Sequence, residues 1–138
     1  MKHFLLPVWF LLICGAASAQ SDEAGVKTTL ENYMSGKAER MQLAFHPSAY
    51  MKYVERQTGV FKDVPIALFL ERVKANESKA QPHTQKRIVS MHVKGDAAQA
   101  QIEIDGSELV MTDYMNLLKI NGEWKIVSKI FTAEVKTD

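Results

Sequence analysis

The spacing of apolar residues changes period along this chain. Val26, Leu30, Tyr33 and Met34 fall at i, i+4, i+7 and i+8, one face of a helix. Ser21-Asp22-Glu23 ahead of them supplies a capping serine and two acids for the first turn, and Gly36 is a natural stop. Met41, Ala44 and Phe45 give a second short helix over 38–45, which Pro47 ends at His46. Residues 49–55 read as a strand, and Thr58-Gly59 as a turn. Asp63-Val64-Pro65 opens a third helix with Ile66, Phe69, Leu70 and Val73 on one face. A polar stretch, Asn76 to His83, reads as a loop. From there the period is two. Strands over 86–94, 97–105, 108–120 and 123–135 are separated by Gly95-Asp96, Gly106-Ser107 and Asn121-Gly122, the last a strong hairpin signal. Helices followed by an antiparallel meander make an α+β domain with its helices on one face of the sheet.

A two-residue loop fixes register, so the hairpins assign faces. Around Asn121-Gly122, Asp113 opposes Ile130, Met115 opposes Ser128, Leu117 opposes Ile126 and Lys119 opposes Trp124. Around Gly95-Asp96, Val93 opposes Ala98, Met91 opposes Ala100 and Val89 opposes Ile102, which is plainly a core face. A turn at Asp105-Gly106 would set Ile102 against Leu109, Ala100 against Met111 and Ala98 against Asp113. Both hairpins therefore put Asp113 on the core face, and a bulge would turn it outward. A carboxylate there must be paired, protonated or wet. Ala98, Ala100 and Ser128 are small and leave room beside it, which predicts a cavity between sheet and helices with Asp113 on its wall. The other face carries Glu123, Lys125 and Lys129, a solvated set, together with Tyr114, Leu118, Ile120, Val127 and Phe131, mixed cover that suits a dimer interface.

The first residues are expected to leave before folding. A short polar start, an apolar run from Phe4 to Cys14 and Ala17-Ser18-Ala19 have the anatomy of a secretory signal peptide cleaved before Gln20. The run is about half the ~20 residues of a membrane span, so export rather than a stable membrane anchor is expected. Ile13 ahead of Cys14 argues against a lipoprotein site. Cleavage removes the only cysteine, so no disulfide can form. It also removes Lys2, leaving 16 basic and 16 acidic residues on a single domain over 20–138. That balance excludes the positive field nucleic acid requires. Asn76-Glu77-Ser78 matches a glycosylation acceptor, relevant only in a eukaryotic secretory pathway.

Candidate chemistry is sparse. Asp113 is the candidate general acid or base, His46 its companion from the end of the second helix, and Tyr33 a hydroxyl from the first. His46, His83 and His92 fit no metal spacing, and no nucleophile motif, phosphate-binding glycine loop or CxxC occurs. Phe45-His46-Pro47, Asp113-Tyr114-Met115, Leu117-Leu118-Lys119, Gly122-Glu123-Trp124-Lys125-Ile126-Val127 and Lys129 resemble the nuclear transport factor 2-like superfamily, in its bacterial branch named putative lumazine-binding. The resemblance implies a cone of curved sheet closed by helices, related to the cystatin-like roll. It further implies a conical pocket and often a homodimer through the outer sheet face. The superfamily includes isomerases and dehydratases with pocket Asp, His or Tyr, and also binding or assembly modules. Three functions are thus expected in order. The first is an exported binder of a small apolar or cyclic molecule without a cofactor. The second is an isomerase- or dehydratase-type enzyme using Asp113, with Tyr33 or His46 polarising the substrate. The third is a dimeric interaction module. The ligand contacts expected for the first two are Tyr33, Ala98, Ala100, Met111, Met115, Trp124 and Ser128.

Overall fold

The structure is a computed structural model and describes residues 14–79 and 84–137. The expected leader lies largely outside the described residues, as does His83. Three helices, α1 (Cys14–Met34), α2 (Ala38–Ala44) and α3 (Ile66–Asn76), pack on one face of a six-stranded sheet. The strands are β1 (Phe45–Val54), β2 (Phe61–Pro65), β3 (Gln85–Lys94), β4 (Ala97–Asp105), β5 (Leu109–Ile120) and β6 (Glu123–Val135). Their spatial order is β2-β1-β6-β5-β4-β3. Every neighbouring pair is antiparallel except β1 with β6, so the sheet is mixed rather than wholly antiparallel. It is curved and unclosed, and the helices cover its concave side, as the α+β reading required.

The three helical stripes pack as expected. Val26, Leu30 and Tyr33 of α1, Met41 and Ala44 of α2 and Ile66 of α3 are buried, with Phe69, Leu70 and Val73 packed against them. Each fully buried Leu or Ile is worth roughly 1.5–3 kcal/mol relative to exposure. Three boundaries differ. The helix α1 already runs through Ser21, whose hydroxyl donates to the Ser18 carbonyl at 2.8 Å instead of capping a terminus. Residues 61–65 are an edge strand paired with β1, not the first turn of α3. Pro65 holds an extended conformation, φ −55° and ψ 140°, and a proline is tolerated at an edge because its missing N–H is not needed there. The strand β1 begins at Phe45, so His46 stands in a strand and not at a helix end.

The register differs in three places, and two of them decide faces. The β4–β5 connection is longer than a two-residue turn. Ile102 pairs with Asp113, Ala100 with Met115 and Ala98 with Leu117, a slip of four residues from the expected pairs. Four is even, so Asp113 keeps its face. In β3, pairing jumps between Ile88 and Ser90, so Val89 bulges and is exposed while Ile88 takes its place opposite Ile102. In β6, Leu117 pairs with Ile126 as expected, but Asn116 pairs with Ser128, and Val127 is the extra residue. Beyond Val127 every side chain of β6 is on the opposite face from the one expected. Ser128 now meets Asn116 on the outer face, where the Asn116 amide donates to its hydroxyl at 2.9 Å. Ile130 points out and is exposed, while Lys129 and Phe131 point in.

Candidate functional site

Asp113, in the middle of β5, is completely buried. The β6 bulge brings Lys129 in beside it, and α1 lowers Tyr33 onto both. The Tyr33 hydroxyl donates to Asp113 Oδ2 at 2.5 Å, and Lys129 Nζ donates to the Tyr33 oxygen at 2.7 Å. Lys129 Nζ also lies 3.0 Å from Asp113 Oδ1 as an ion pair, although the angle is outside hydrogen-bond geometry, so Oδ1 accepts no hydrogen bond among the described residues. All three side chains are nearly inaccessible, at 4% exposure for Tyr33 and Lys129. Three rings surround the ammonium: those of Tyr33, Phe69 and Phe131 have centroids 5.1, 5.3 and 4.9 Å from Nζ, each within cation–π range.

These surroundings set the electrostatics. Desolvation pushes the Lys129 amine below its usual range, and the adjacent Asp113 charge opposes that shift. Burial raises the Tyr33 phenol well above its usual range, reinforced by the Asp113 charge and by the hydrogen bond to it. Lys86 of β3 is half-buried nearby. Its Nζ donates to the Met34 carbonyl at the end of α1 at 2.9 Å, and burial lowers its pKa against the pull of Asp113.

Lys129 and Tyr33 face a cavity of about 850 Å³ between the sheet and the helices. Its walls are mainly Met41, Met51, Tyr53, Phe69, Met111 and Phe131, with Lys86 and Glu77 among the few charged groups. The Tyr53 and Phe131 rings stack at 4.5 Å. Asp113 is not part of the wall; it sits behind Tyr33 and Lys129. The sequence-predicted residues therefore separate. Tyr33 and Met111 line the cavity, and Asp113 supports it from within the sheet. Ala98, Ala100 and Met115 are buried in the core cluster with Val26 and Leu30, so the room beside the alanines belongs to the packed core and not to this cavity. Trp124 packs against Gly25, and its indole N–H donates to Asp22 at 3.3 Å. Ser128 is on the outer face because of the β6 bulge. His46 lines a separate, smaller groove of about 340 Å³ with Glu39, Pro47 and Leu70, and its Nδ1 lies 2.7 Å from the Ser48 hydroxyl. It is not brought to Asp113.

The principal residue missed by the sequence is Lys129, read there as part of a solvated face. A signal existed. A carboxylate on the core face needs a counter-charge, and Lys129 is one residue from its expected opposite, Ile130.

Comparison with known proteins agrees with this architecture. The family model described as "Putative lumazine-binding" matches residues 21–132. The chain belongs to that family. Similar solved structures are NTF2-like proteins, which places the fold in the nuclear transport factor 2-like superfamily. One from Shewanella baltica OS155 is 27% identical, with a TM-score of 0.73 over 83% of this chain and 95% of the other. Another, from Methylobacillus flagellatus KT, is also 27% identical, with a TM-score of 0.70 over 83% and 93%. A third, from Silicibacter pomeroyi DSS-3, shares the fold at 21% identity and a TM-score of 0.73, over 84% and 98%. Among characterised relatives, the aldolase FrzH of Cladobotryum sp. is 26% identical over 103 residues, 74% of this chain and 80% of that protein.

Proposed function

We propose that this member of the family is an exported protein that binds a small, largely apolar molecule in the cavity above Tyr33 and Lys129. One observation carries the reading: a cavity of about 850 Å³ whose wall combines thioether and aromatic side chains with a smaller set of polar groups that includes Tyr33, Lys86 and Lys129. Ligand sites commonly have that size and that division of labour between apolar fit and polar orientation. The family description supports a small-molecule ligand in general terms. Native mass spectrometry of the chain purified from its host tests the reading. A discrete retained mass is expected, and Val73→Trp, which fills the cavity from α3, should abolish it. Retention unchanged in Val73→Trp would refute binding in this cavity. Export rests on the pattern of residues 1–19, and N-terminal sequencing of the exported chain should begin at Gln20. A homodimer through the outer sheet face is supported by the exposed Tyr114, Leu118 and Ile130 there.

A second reading, catalysis on a carbonyl compound, is favoured by the hydroxyl–carboxylate–amine cluster and by the aldolase relative. In this form it departs from the isomerase or dehydratase expectation in one respect. Tyr33 and Lys129 reach the substrate, and Asp113 orients them. Turnover of a carbonyl substrate that survives both Tyr33→Phe and Lys129→Arg would refute this assignment.

A further inference from the structure

We infer that Lys129 is a carbonyl-capturing amine that forms a covalent imine with an aldehyde or ketone bound in the cavity. This rests on the reading of the cavity as a ligand site, and goes beyond it by naming the reacting atom and the ligand class. Four observations converge. Lys129 is a wall residue of the cavity and is only 4% exposed, so its amine is screened from bulk solvent. The rings of Tyr33, Phe69 and Phe131 surround it, which favours a carbonyl compound with a flat, apolar body. A hydroxyl stands 2.7 Å away, and a carboxylate oxygen that accepts no hydrogen bond among the described residues stands 3.0 Å away. Lastly, the lowered proton affinity of the amine enlarges its neutral, nucleophilic fraction, which is how lysines are activated for this chemistry.

The step balances without an added reagent. A proton leaves the ammonium, with Asp113 Oδ1 positioned to take it. The freed lone pair forms the C–N bond, and the C=O π pair moves to oxygen. That oxygen is protonated by the Tyr33 hydroxyl, which stays protonated through neutral pH because its pKa is raised. Asp113 reprotonates the phenolate across their 2.5 Å hydrogen bond, then takes the second proton from nitrogen and passes it through Tyr33 to the carbinol oxygen. That oxygen leaves as water while the nitrogen lone pair forms C=N. Two ammonium protons end in water, the third stays on the iminium nitrogen, and Asp113 and Tyr33 are both regenerated. Asp113 relays protons from the amine to Tyr33 in this scheme, and Tyr33 and Lys129 are the groups that touch the carbonyl.

The test is reductive trapping of the full chain with sodium cyanoborohydride and a series of carbonyl probes from propanal through benzaldehyde to 2-naphthaldehyde, with peptide mapping of the product. Lys129 should be labelled before exposed lysines such as Lys27. The advantage at pH 7 is on the order of tenfold for each unit by which its pKa is lowered. Lys129→Arg keeps the positive charge and should lose the adduct. Labelling of Lys129 no faster than Lys27 across the whole series would overturn the proposal, and this reading needs no variant to fold. The alcohol 2-naphthalenemethanol, which cannot form an imine, separates the two claims. If it binds in the cavity and Lys129 stays unlabelled, the ligand site stands and the imine falls. If Lys129 is labelled and the alcohol slows the labelling, both stand.

Discussion

Replacing Lys129 by Met should be among the most destabilising single changes in this protein, although it barely changes side-chain volume. Methionine is also unbranched, so it fills the same channel between Tyr33 and Phe131 and the cavity term is small. What disappears is the ammonium 3.0 Å from Asp113 Oδ1, in a pair whose side chains are 5% and 0% exposed. At an effective dielectric of about 20 the attraction at that distance is roughly 5 kcal/mol. Desolvation has already offset much of that in the wild type, but the variant keeps the buried carboxylate and loses its compensation. Breaking a pair of this kind costs about 3–5 kcal/mol. Urea unfolding followed by circular dichroism and by Trp124 fluorescence measures it, coincident transitions establishing two-state behaviour. The triple variant Tyr33→Phe, Asp113→Leu, Lys129→Met supplies the control. It removes every polar member of the cluster together, so no buried group is orphaned, and it should recover to within about 1–2 kcal/mol of wild type. A loss below about 1 kcal/mol in Lys129→Met, the range of an exposed pair, would refute the description of this cluster as a desolvated unit. So would a triple variant less stable than the single one.

The same burial predicts a pH dependence. Because the folded-state pKa of Lys129 is below its usual 10.5, the unfolded chain holds a proton that the folded chain has lost throughout the interval between the two values. The cost of charging Lys129 is therefore present at lower pH and relieved as pH rises, and wild-type stability should climb relative to Lys129→Met up to about pH 10. Above the usual phenol value of 10.0 the sign reverses for Tyr33, which stays protonated when folded but ionises when unfolded, so stability should then fall. Thermal midpoints from pH 7 to 11 for wild type, Lys129→Met and Tyr33→Phe separate the two, and a flat difference curve below pH 10 would contradict the Lys129 shift. Gly25→Ala would place a Cβ 2.7 Å from Trp124 Cδ1, and the displaced indole should cost about 1–3 kcal/mol, more than the ~1 kcal/mol gained in helix propensity. A raised thermal midpoint would show that the ring yields freely. Ile130→Lys on the exposed outer face should leave stability within about 0.5 kcal/mol and convert a dimer to a monomer by light scattering, whereas Phe131→Lys should leave the oligomer intact and weaken cavity binding. The opposite assignment of those two effects would mean that the β6 bulge is misplaced.

The fold was legible because its signals are local and redundant. The stripe of Val26, Leu30 and Tyr33, the Asn121-Gly122 turn and the alternation in the last four strands each act within a few residues, and together they leave little choice of architecture. The edge strand at 61–65 was not legible, because five residues ending in proline carry the same marks as a helix entry. Asp113 was placed on the correct face through pairs that proved wrong. The expected partner Ala98 is replaced by Ile102, yet an even slip preserves the face, so the inference survived an error in the connection. Ala98 and Ala100 show the reverse case. Both are small, but composition does not say whether the space beside them is taken by packed side chains or by a ligand, and here they belong to the packed core.

The bulge at Val127 is where fold becomes site. Nothing in Ile126-Val127-Ser128 marks it, since no glycine or proline interrupts the strand. Without it, Ile130 would sit against Asp113 and Lys129 would face solvent, leaving a buried carboxylate bonded only to Tyr33. With it, Lys129 enters, Phe131 joins the cavity wall and Ile130 is sent outward. One inserted residue thus neutralises the buried charge, completes the ring cage and gives the outer face an apolar patch. The energetic demand precedes the geometry: a sheet that places Asp113 at its centre is stable only if a cation is delivered to it. Strand periodicity alone cannot reveal that delivery, but the requirement that a buried charge be paired restricts it to the few basic residues within one slip of the partner strand. The same delivery leaves a desolvated amine in the wall of a cavity, so the device that stabilises the fold also places the group to which we assign carbonyl capture.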